Sequence, residues 1–266
     1  MLNIKQWLAT ENDCYKASKR IKPKGVMVHS TGANNPWLKR YVGPDDGLLG
    51  VNQYGNHWNR PGLSVCVHAF IGKLEDGTVA TYQTLPWTMR GWHCGRSGND
   101  THISFEICED GLANEDYFRQ TYQAAVELTA YLCHTYGLDP LAPGVVVDHA
   151  EGNDLGIASN HSDVGHWWKK FNTTMDDFRK DVKYYLDEVI ELTMTKEELQ
   201  TLIDNSVEKS LSSDRFKDIE SVPDWGRPTV EKLVAAGALR GDETGLNLSR
   251  DMVRMLVFLD RLGKLL

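Results

Sequence analysis

The sequence lacks the long apolar runs, the basic clusters and the closely spaced cysteine pairs that would place it in several large classes of protein. No apolar stretch in its 266 residues reaches the roughly 20 residues of a membrane-spanning helix. The N-terminus has no basic segment leading into an apolar stretch, so we expect no secretory signal. Because the formal net charge is -8 and Lys and Arg do not cluster, we expect no nucleic-acid partner. The lack of a long apolar run predicts no membrane insertion.

The five cysteines are odd in number, scattered, and never in a C-x-x-C spacing. This pattern favours neither a disulfide framework nor a structural zinc knuckle, and we expect reduced thiols. Two of them, Cys66 and Cys108, lie in apolar, strand-like stretches and are predicted to be buried, as unpaired cysteines usually are.

The apolar pattern predicts strands separated by helices over the first two thirds of the chain. The predicted strands are 25–29, 64–71, 79–82, 102–108 and 144–148. A 3.6-residue period predicts helices over 115–136, ended by Gly137, and over 174–192. This alternation predicts an α/β domain over residues 1–192, with a mixed central β-sheet flanked by helices.

The composition changes after residue 192 and predicts two further segments. A capping box at Thr195 to Glu198 opens a polar helix, which we interpret as a helical linker over 193–213. Two short apolar helical patterns then predict a small all-α C-terminal domain over 214–266.

Two of the predicted buried strands end on a histidine, His29 and His149. A catalytic zinc ion has three protein ligands and keeps its fourth position for water, so two convergent histidines predict such a site. The loop after His149 offers His161, Asp163 and His166 as the third ligand. The alternative is that each histidine is an ordinary core or surface residue.

Five further motifs occur in the order found in type 2 N-acetylmuramoyl-L-alanine amidases. They are VMVHSTG, VHAFIGKLEDGTVA, GWHCG, NDTHISFEI and DHAEG followed by NHSD. Over about residues 20 to 190 the chain resembles this family, which includes amidase-type phage lysozymes and is similar to the peptidoglycan recognition proteins. The resemblance implies one catalytic Zn²⁺ and hydrolysis of the amide between N-acetylmuramic acid and L-alanine in bacterial peptidoglycan.

The resemblance also implies the ligands of the metal. The two family histidines match His29 and His149, and the third family ligand, an Asp or a Cys, matches Asp163, with His161 as the alternative ligand. The family often has a Lys two residues before the third ligand, where it stabilises the oxyanion, and this sequence has His161 there. An imidazole can also donate a hydrogen bond to developing negative charge.

Glu106 matches a family glutamate that takes the proton of the attacking water. Other members use a Tyr at the position of Val67, which favours Glu106 as the base here. The alternative is that Glu106 is a solvent-facing strand residue. His68 and His93 match positions near the family's cleft. With Trp92 and Asn99 they are predicted either to shape the wall that holds the muramyl sugar or peptide or to be packing and turn residues.

The C-terminal segment resembles a single S-layer-homology-type repeat, with FKDIESVPDW, a G-x-x-x-G-D turn and a final helix containing arginine. That resemblance implies a secondary cell-wall polymer as partner. The alternative is a homo-oligomer formed through the C-terminal helices, because a helix pair with one apolar face often self-associates.

These observations predict a phage or prophage endolysin that is made in the bacterial cytoplasm without a signal peptide and acts on a Gram-positive-type cell wall after release. Two other functions remain open. One is a non-catalytic peptidoglycan-binding module, and the other is a zinc peptidase that cuts within the stem peptide.

Overall fold

The computed structural model describes residues 4–192 and 215–265, and the chain forms two compact units, Met1–Leu192 and Thr193–Leu266. The predicted linker over 193–213, with its capping box at Thr195 to Glu198, lies outside the described residues. The functional roles given to the two units stay predictions.

A mixed sheet of six strands forms the centre of the first unit. The strands are β1 (Ile4–Gln6), β2 (Gly25–Asn34), β3 (Ala69–Lys73), β4 (Val79–Gln83), β5 (His102–Glu109) and β6 (Val146–Asp148). Their order in the sheet is β1-β4-β3-β5-β2-β6, and β3 and β4 form an antiparallel hairpin while the other neighbours pair in parallel.

Helices flank this sheet, so the predicted fold class is confirmed. They are α1 (Asp13–Ala17), α2 (Glu115–Tyr136), α3 (His149–Asp154), α4 (Gly165–Trp168) and α5 (Met175–Leu192), with 3-10 helices at Leu38–Arg40, Ser97–Asp100 and Lys169–Phe171. None of the helices in the described ranges combines the length and the apolar character needed to cross a bilayer.

Helix α2 has the bounds that the sequence predicts, because strong signals lie at both ends. The side chain of Asn114 accepts a hydrogen bond from the Tyr117 backbone N–H and caps the start. At the other end Gly137 adopts the left-handed conformation, with φ of 63°, that a side chain would disfavour. The helix packs against α5 and the sheet through buried residues that include Phe118, Ala125, Leu128 and Leu132.

Strand β3 shows how the sheet separates two cores. Successive side chains of a strand point to opposite faces. Accordingly Ala69 and Ile71 belong to the core beneath α2 and α5, whereas Phe70 belongs to a second core on the other face. That second core is built largely from the long segment between β2 and β3, with Leu38, Tyr41, Val42 and Leu49.

Some strand bounds differ from the sequence prediction. The strand predicted over 64–71 begins only at Ala69, because Cys66 forms an isolated bridge with Trp92 instead of joining the sheet. Strand β2 continues past His29 to Asn34 alongside β5. Cys66 and Cys108 are buried, as predicted, and all five cysteines are free thiols.

The second unit is small and mainly helical, but it also contains a two-stranded sheet that the all-α expectation missed. Its elements are β7 (Arg215–Phe216), α6 (Arg227–Ala235), β8 (Leu248–Ser249) and α7 (Arg250–Arg261). A two-residue strand leaves almost no alternation to read, which is why the sequence did not reveal it. The unit's own core is formed by Val222, Val230, Leu248, Val253 and Val257.

We expect Leu128→Ala to lower the free energy of unfolding by about 2–5 kcal/mol, because Leu128 is fully buried beneath the sheet and its truncation leaves a cavity. Leu141→Ala is the matched control, and since Leu141 is 50% exposed we expect a change within about 0.5 kcal/mol. Urea unfolding followed by circular dichroism measures both. Equal effects of the two substitutions would contradict this account of the core.

Candidate active site

The parallel pairing of β2 with β5 and β6 brings three polar side chains to one edge of the sheet. His29 pairs in register with Glu106 on β5, and Val28 pairs with Asp148, the residue before His149. Residues paired in register on neighbouring parallel strands point to the same side of the sheet, so the side chains of His29 and Glu106 lie next to each other. A cavity of about 700 Å³ lies there, and His29, Glu106 and His149 all line it.

Three side chains direct one potential ligand atom each to a common point in this cavity. The Nδ1 atoms of His29 and His149 lie 3.1 Å apart. Oδ2 of Asp163 is 3.1 Å from Nδ1 of His29, and Oδ1 is 3.6 Å from Nδ1 of His149. The structure therefore brings Asp163 to the histidine pair, and these three residues form a possible metal site.

The chemistry and spacing of this group fit a zinc ion. Zinc binds imidazole nitrogen and carboxylate oxygen at about 2.0–2.2 Å, and two tetrahedral ligand atoms at that radius are separated by about 3.3 Å. The separations of 3.1 and 3.6 Å at the site bracket this distance. Two imidazole nitrogens facing each other so closely have at most one proton to share, which leaves lone-pair density for a cation.

The backbone fixes each of the three residues. His29 lies within β2, and its side chain is 1% exposed. His149 is the first residue of α3, which Asp148 caps by accepting a hydrogen bond from the Glu151 backbone N–H at 2.8 Å. The backbone oxygen of Asp163 accepts a hydrogen bond from the N–H of His149 at 3.1 Å, so the loop that holds Asp163 is fastened directly to the helix start.

Glu151 contributes to this arrangement from outside the cavity. Its carboxylate forms an ion pair with Arg179 of α5, with an N–O distance of 2.8 Å, and Arg179 also donates to the backbone oxygen of Val146. Asp148 and Glu151 thus hold the start of α3 and form no hydrogen bond with the His149 ring. Nε2 of that ring instead lies 3.2 Å from Oγ of Ser159.

The pKa shifts of Asp163 and His29 favour the charge states that bind a metal. Burial alone would raise the pKa of Asp163, but hydrogen bonds from His149 and His29 outweigh it and hold that pKa well below its usual range. Burial lowers the pKa of His29, against the opposing effect of Asp163. A carboxylate and neutral imidazoles are the protonation states that coordinate metals.

Glu106 lies beside this group as a half-buried acid. Its Oε2 atom is buried and has no hydrogen-bond partner. Burial raises its pKa well above the usual range, and the nearby carboxylates of Asp163 and Glu109 raise it further. It is therefore not the solvent-facing strand residue of the alternative interpretation. A carboxyl group with a raised pKa, facing a cavity, can exchange protons with a reacting group.

His161 lines the same cavity but is not one of the three convergent residues. Its ring centroid is 4.5 Å from that of His149, and its Nδ1 is 3.2 Å from Oγ of Ser159. His166, the other histidine of this loop, pairs with Glu109 through Nε2 at 2.9 Å. Of the three residues that the loop offered, only Asp163 joins the histidine pair.

Three of the four predicted wall residues line the cavity: Trp92, His93 and Asn99. Nδ1 of His93 lies 3.0 Å from Nε2 of His29, on the side of that ring away from Asp163. Partners of this kind fix the orientation of a metal-binding imidazole. Asn99 accepts hydrogen bonds through Oδ1 from the backbone N–H groups of His93 and Cys94, so it holds this wall in place.

His68 is a correction to the sequence prediction, because it does not line the cavity. Its ring is fully buried, with Nδ1 at 3.0 Å from the backbone nitrogen of Ser104 and Nε2 at 2.7 Å from the backbone oxygen of Met89. Both ring nitrogens are already engaged, and no face is open to a ligand. His68 is a structural residue that joins β5 to the wall segment.

Sequence reasoning missed several residues that line the cavity. Ser159 lies between the rings of His149 and His161, and Arg90 lines the cavity beside its ion pair with Asp100. Buried Glu109, which accepts a hydrogen bond from Ser30 at 2.6 Å, holds His166 at the cavity. Glu109 is the last residue of β5, three residues after Glu106. An acidic residue at the end of an apolar strand was the sequence signal that could have identified Glu109 as part of the site.

A family model described as N-acetylmuramoyl-L-alanine amidase matches residues 19–166, a range that includes all of His29, Glu106, His149 and Asp163. The chain is similar to the Staphylococcus aureus hydrolase AmiA, solved in complex with its ligand, with 18% identity and a TM-score of 0.52 over 73% of this chain and 87% of that one. That likeness supports the fold. No curated protein matches the chain.

Two further solved structures are similar at lower scores. A mutant endolysin from Bacillus subtilis shares 23% identity, with a TM-score of 0.46, over 68% of this chain and 99% of that chain. The N-acetylmuramoyl-L-alanine amidase LysC from Clostridium intestinale shares 16% identity, with a TM-score of 0.37, over 65% of this chain and 100% of that chain.

We expect the structural role of His68 to appear in the pH dependence of stability. Burial lowers the pKa of His68 from its ordinary value of about 6.5 to about 4. Between these two pH values the unfolded chain binds more protons than the folded protein does. The free energy of unfolding therefore falls by up to about 1.4 kcal/mol for each pH unit as the pH is lowered. In His68→Gln this contribution is absent, and the free energy of unfolding should fall less steeply from about pH 6.5 to about pH 4.

Urea unfolding across this pH range measures the difference between the two proteins. His134→Gln, on the exposed surface of α2, is the matched control for loss of a histidine. The same pH dependence in wild type and His68→Gln would show that His68 is not buried in the neutral form.

Proposed function

The chain belongs to the N-acetylmuramoyl-L-alanine amidase family and is an enzyme of that class, and from this we propose that it is a zinc-dependent amidase acting as an endolysin. Its substrate is the amide between N-acetylmuramic acid and L-alanine in peptidoglycan. The observation that carries the proposal is the convergence of His29, His149 and Asp163 on one point beside the half-buried acid Glu106.

Zinc held by these three residues would polarise the amide carbonyl and make water a better nucleophile near neutral pH. His93 keeps the His29 ring in place through Nε2, and Ser159 does the same for the His149 ring. The cavity shields the reacting groups, since the side chains of both histidines are almost wholly buried.

Glu106 moves the protons in the proposed reaction. A carboxylate oxygen of Glu106 takes a proton from the water whose oxygen adds to the amide carbon, and the carboxyl group then gives that proton to the leaving nitrogen. As the carbon–nitrogen bond breaks, the lactyl group is released as a carboxylic acid and the stem peptide as a free L-alanine amine. The acid then ionises to the carboxylate, and its proton passes to the amine or to solvent. The raised pKa of Glu106 suits both halves of this transfer.

His161 is proposed to stabilise the negative charge that develops on the amide oxygen. Its ring lies beside His149 at the cavity, and its Nδ1 is engaged with Ser159. Nε2 is therefore the nitrogen available to donate to the oxyanion. Trp92, His93 and Asn99 are proposed to shape the wall that receives the muramyl sugar or the peptide.

The remaining parts of the proposal concern the setting of the enzyme. We propose a phage or prophage origin, synthesis in the bacterial cytoplasm and action on the wall after release. For the second unit, binding of a secondary cell-wall polymer and self-association remain the two alternatives. Helix α7 exposes Met252, Met255 and Phe258 at spacings of three residues, which suits either one.

Digestion of purified peptidoglycan, with and without a chelator, tests the reaction. We expect metal-dependent release of peptides with a free L-alanine amine, identified by mass spectrometry. Cuts within the stem peptide would instead show a zinc peptidase, and binding without cleavage would show a recognition module. Either of these results would contradict the proposed reaction.

Substitutions separate the ligands from the base. We expect His29→Ala and Asp163→Ala to lose both zinc and activity, whereas Glu106→Gln should keep zinc and lose at least about 100-fold in kcat. Atomic emission spectroscopy measures the zinc content of each variant, and the rate of amine release gives its kcat. Glu75→Gln, an exposed residue of the β3–β4 turn, is the matched control. Full zinc content in Asp163→Ala would show that the ligand assignment is wrong.

We expect His161→Ala to lower kcat by about 10²- to 10³-fold, because it removes the donor to the oxyanion. His161→Lys should recover much of that loss, since an ammonium group can donate to the same oxygen, while zinc content stays unchanged in both variants. Loss of zinc in His161→Ala would instead identify His161 as a metal ligand.

A further inference from the structure

A second cavity, of about 440 Å³, lies on the segment between β2 and β3, and we name it the outer cavity. Its walls are the 3-10 helix Leu38–Arg40, the loop 51–56 and Asn35. Two cations, two aromatic rings and four side-chain amides line it, and no carboxylate does so among the described residues. This composition is unusual for a chain whose net charge is -8.

The outer cavity is held in shape by its own hydrogen bonds. Nδ2 of Asn52 donates to the backbone oxygen of Lys39 at 2.8 Å and to Oδ1 of Asn56 at 3.0 Å. Arg40 donates to the backbone oxygen of Asn56. The ammonium group of Lys39 lies over the Trp37 ring, 5.8 Å from its centroid. The loop is thus fastened to the 3-10 helix, and the cations are held at its rim.

Groups in the outer cavity remain available to a ligand. Tyr54 is 86% exposed, the largest exposure among the large apolar side chains of the described residues. Neither Lys39 nor Arg40 forms an ion pair with a carboxylate in the described part of the chain. An exposed aromatic ring beside amides and two cations that have no carboxylate partner suits a sugar ring that carries a negative charge and hydrogen-bonding groups.

The outer cavity is also close to the proposed active site. Gly32, near the end of β2, lines the main cavity, and Asn35 lines the outer cavity. Three residues of chain span at most about 11 Å. Parts of the two linings are therefore no farther apart than this distance.

We propose that the outer cavity binds the peptide-free glycan strand that amide hydrolysis leaves behind. The ring of Tyr54 stacks on a sugar ring, and Lys39 and Arg40 pair with the lactyl carboxylate of a muramic acid residue. This inference rests on the proposed function, because it is removal of the stem peptide that converts the neutral lactyl amide into a carboxylate. Intact strands lack that charge, so the site favours strands that have already been cut.

Calorimetric titration of the full chain with peptide-free glycan oligosaccharides tests the inference. We expect Tyr54→Ala and Lys39→Met each to weaken binding at least about tenfold, the effect of losing one contact to a charged or stacked group. The matched controls are Tyr184→Ala and Lys180→Met, at exposed positions of α5, and both should bind as wild type does. Thermal melting checks that every variant is folded.

Three other probes identify what the outer cavity recognises. Chitin oligosaccharides of the same length, which have no carboxylate, should bind at least about tenfold more weakly than the peptide-free glycan. Equal binding of chitin, or glycan affinity unchanged in both variants, would overturn the inference. So would tighter binding of poly(glycerol phosphate) or of free stem peptide than of the glycan. The titration needs no cleavage, so a failure of the proposed amidase reaction would be seen separately in the digestion assay.

Discussion

The parallel pairing of β2 with β5 and β6 is the constraint on which the rest of the site depends. Register places His29 opposite Glu106 and puts Asp148 opposite Val28, so that His149 begins α3 at the same edge of the sheet. Three chemically active side chains from distant parts of the sequence meet because the strands that carry or precede them lie side by side in the sheet. A shift of one residue in either strand pairing would turn one of these side chains to the other face of the sheet.

Burial shifts the pKa values of these side chains, and the energetic cost of burying each charge is offset in a different way. The carboxylate of Asp163 is stabilised by the two imidazoles it faces, which holds its pKa low. Glu106 has no such partner for Oε2, and its pKa is raised. Two carboxyl groups in one cavity are thereby given opposite protonation preferences, one suited to holding a cation and the other to moving a proton. Outside the cavity, the Glu151–Arg179 ion pair fixes the helix that carries His149.

Much of the fold and the centre of the site could be predicted from the sequence. Helix α2 has strong end signals, and His29 and His149 follow short apolar runs that belong to β2 and β6, where the sequence pattern is informative. Asp163 lies in a loop without periodicity, so resemblance to a family selected it. His68 was misplaced because its interactions with Ser104 and Met89 depend on tertiary packing, which no local pattern records. The contact of His166 with Glu109 was missed for the same reason.

The central claim is that His29, His149 and Asp163 hold one zinc ion. X-ray diffraction from zinc-containing crystals, recorded on both sides of the zinc absorption edge, tests it most directly. The account predicts one strong anomalous peak about 2.0–2.2 Å from Nδ1 of His29, Nδ1 of His149 and a carboxylate oxygen of Asp163. A peak bound by His161 in place of Asp163 would contradict this claim. So would zinc bound at full occupancy at another position with no peak between the two histidines.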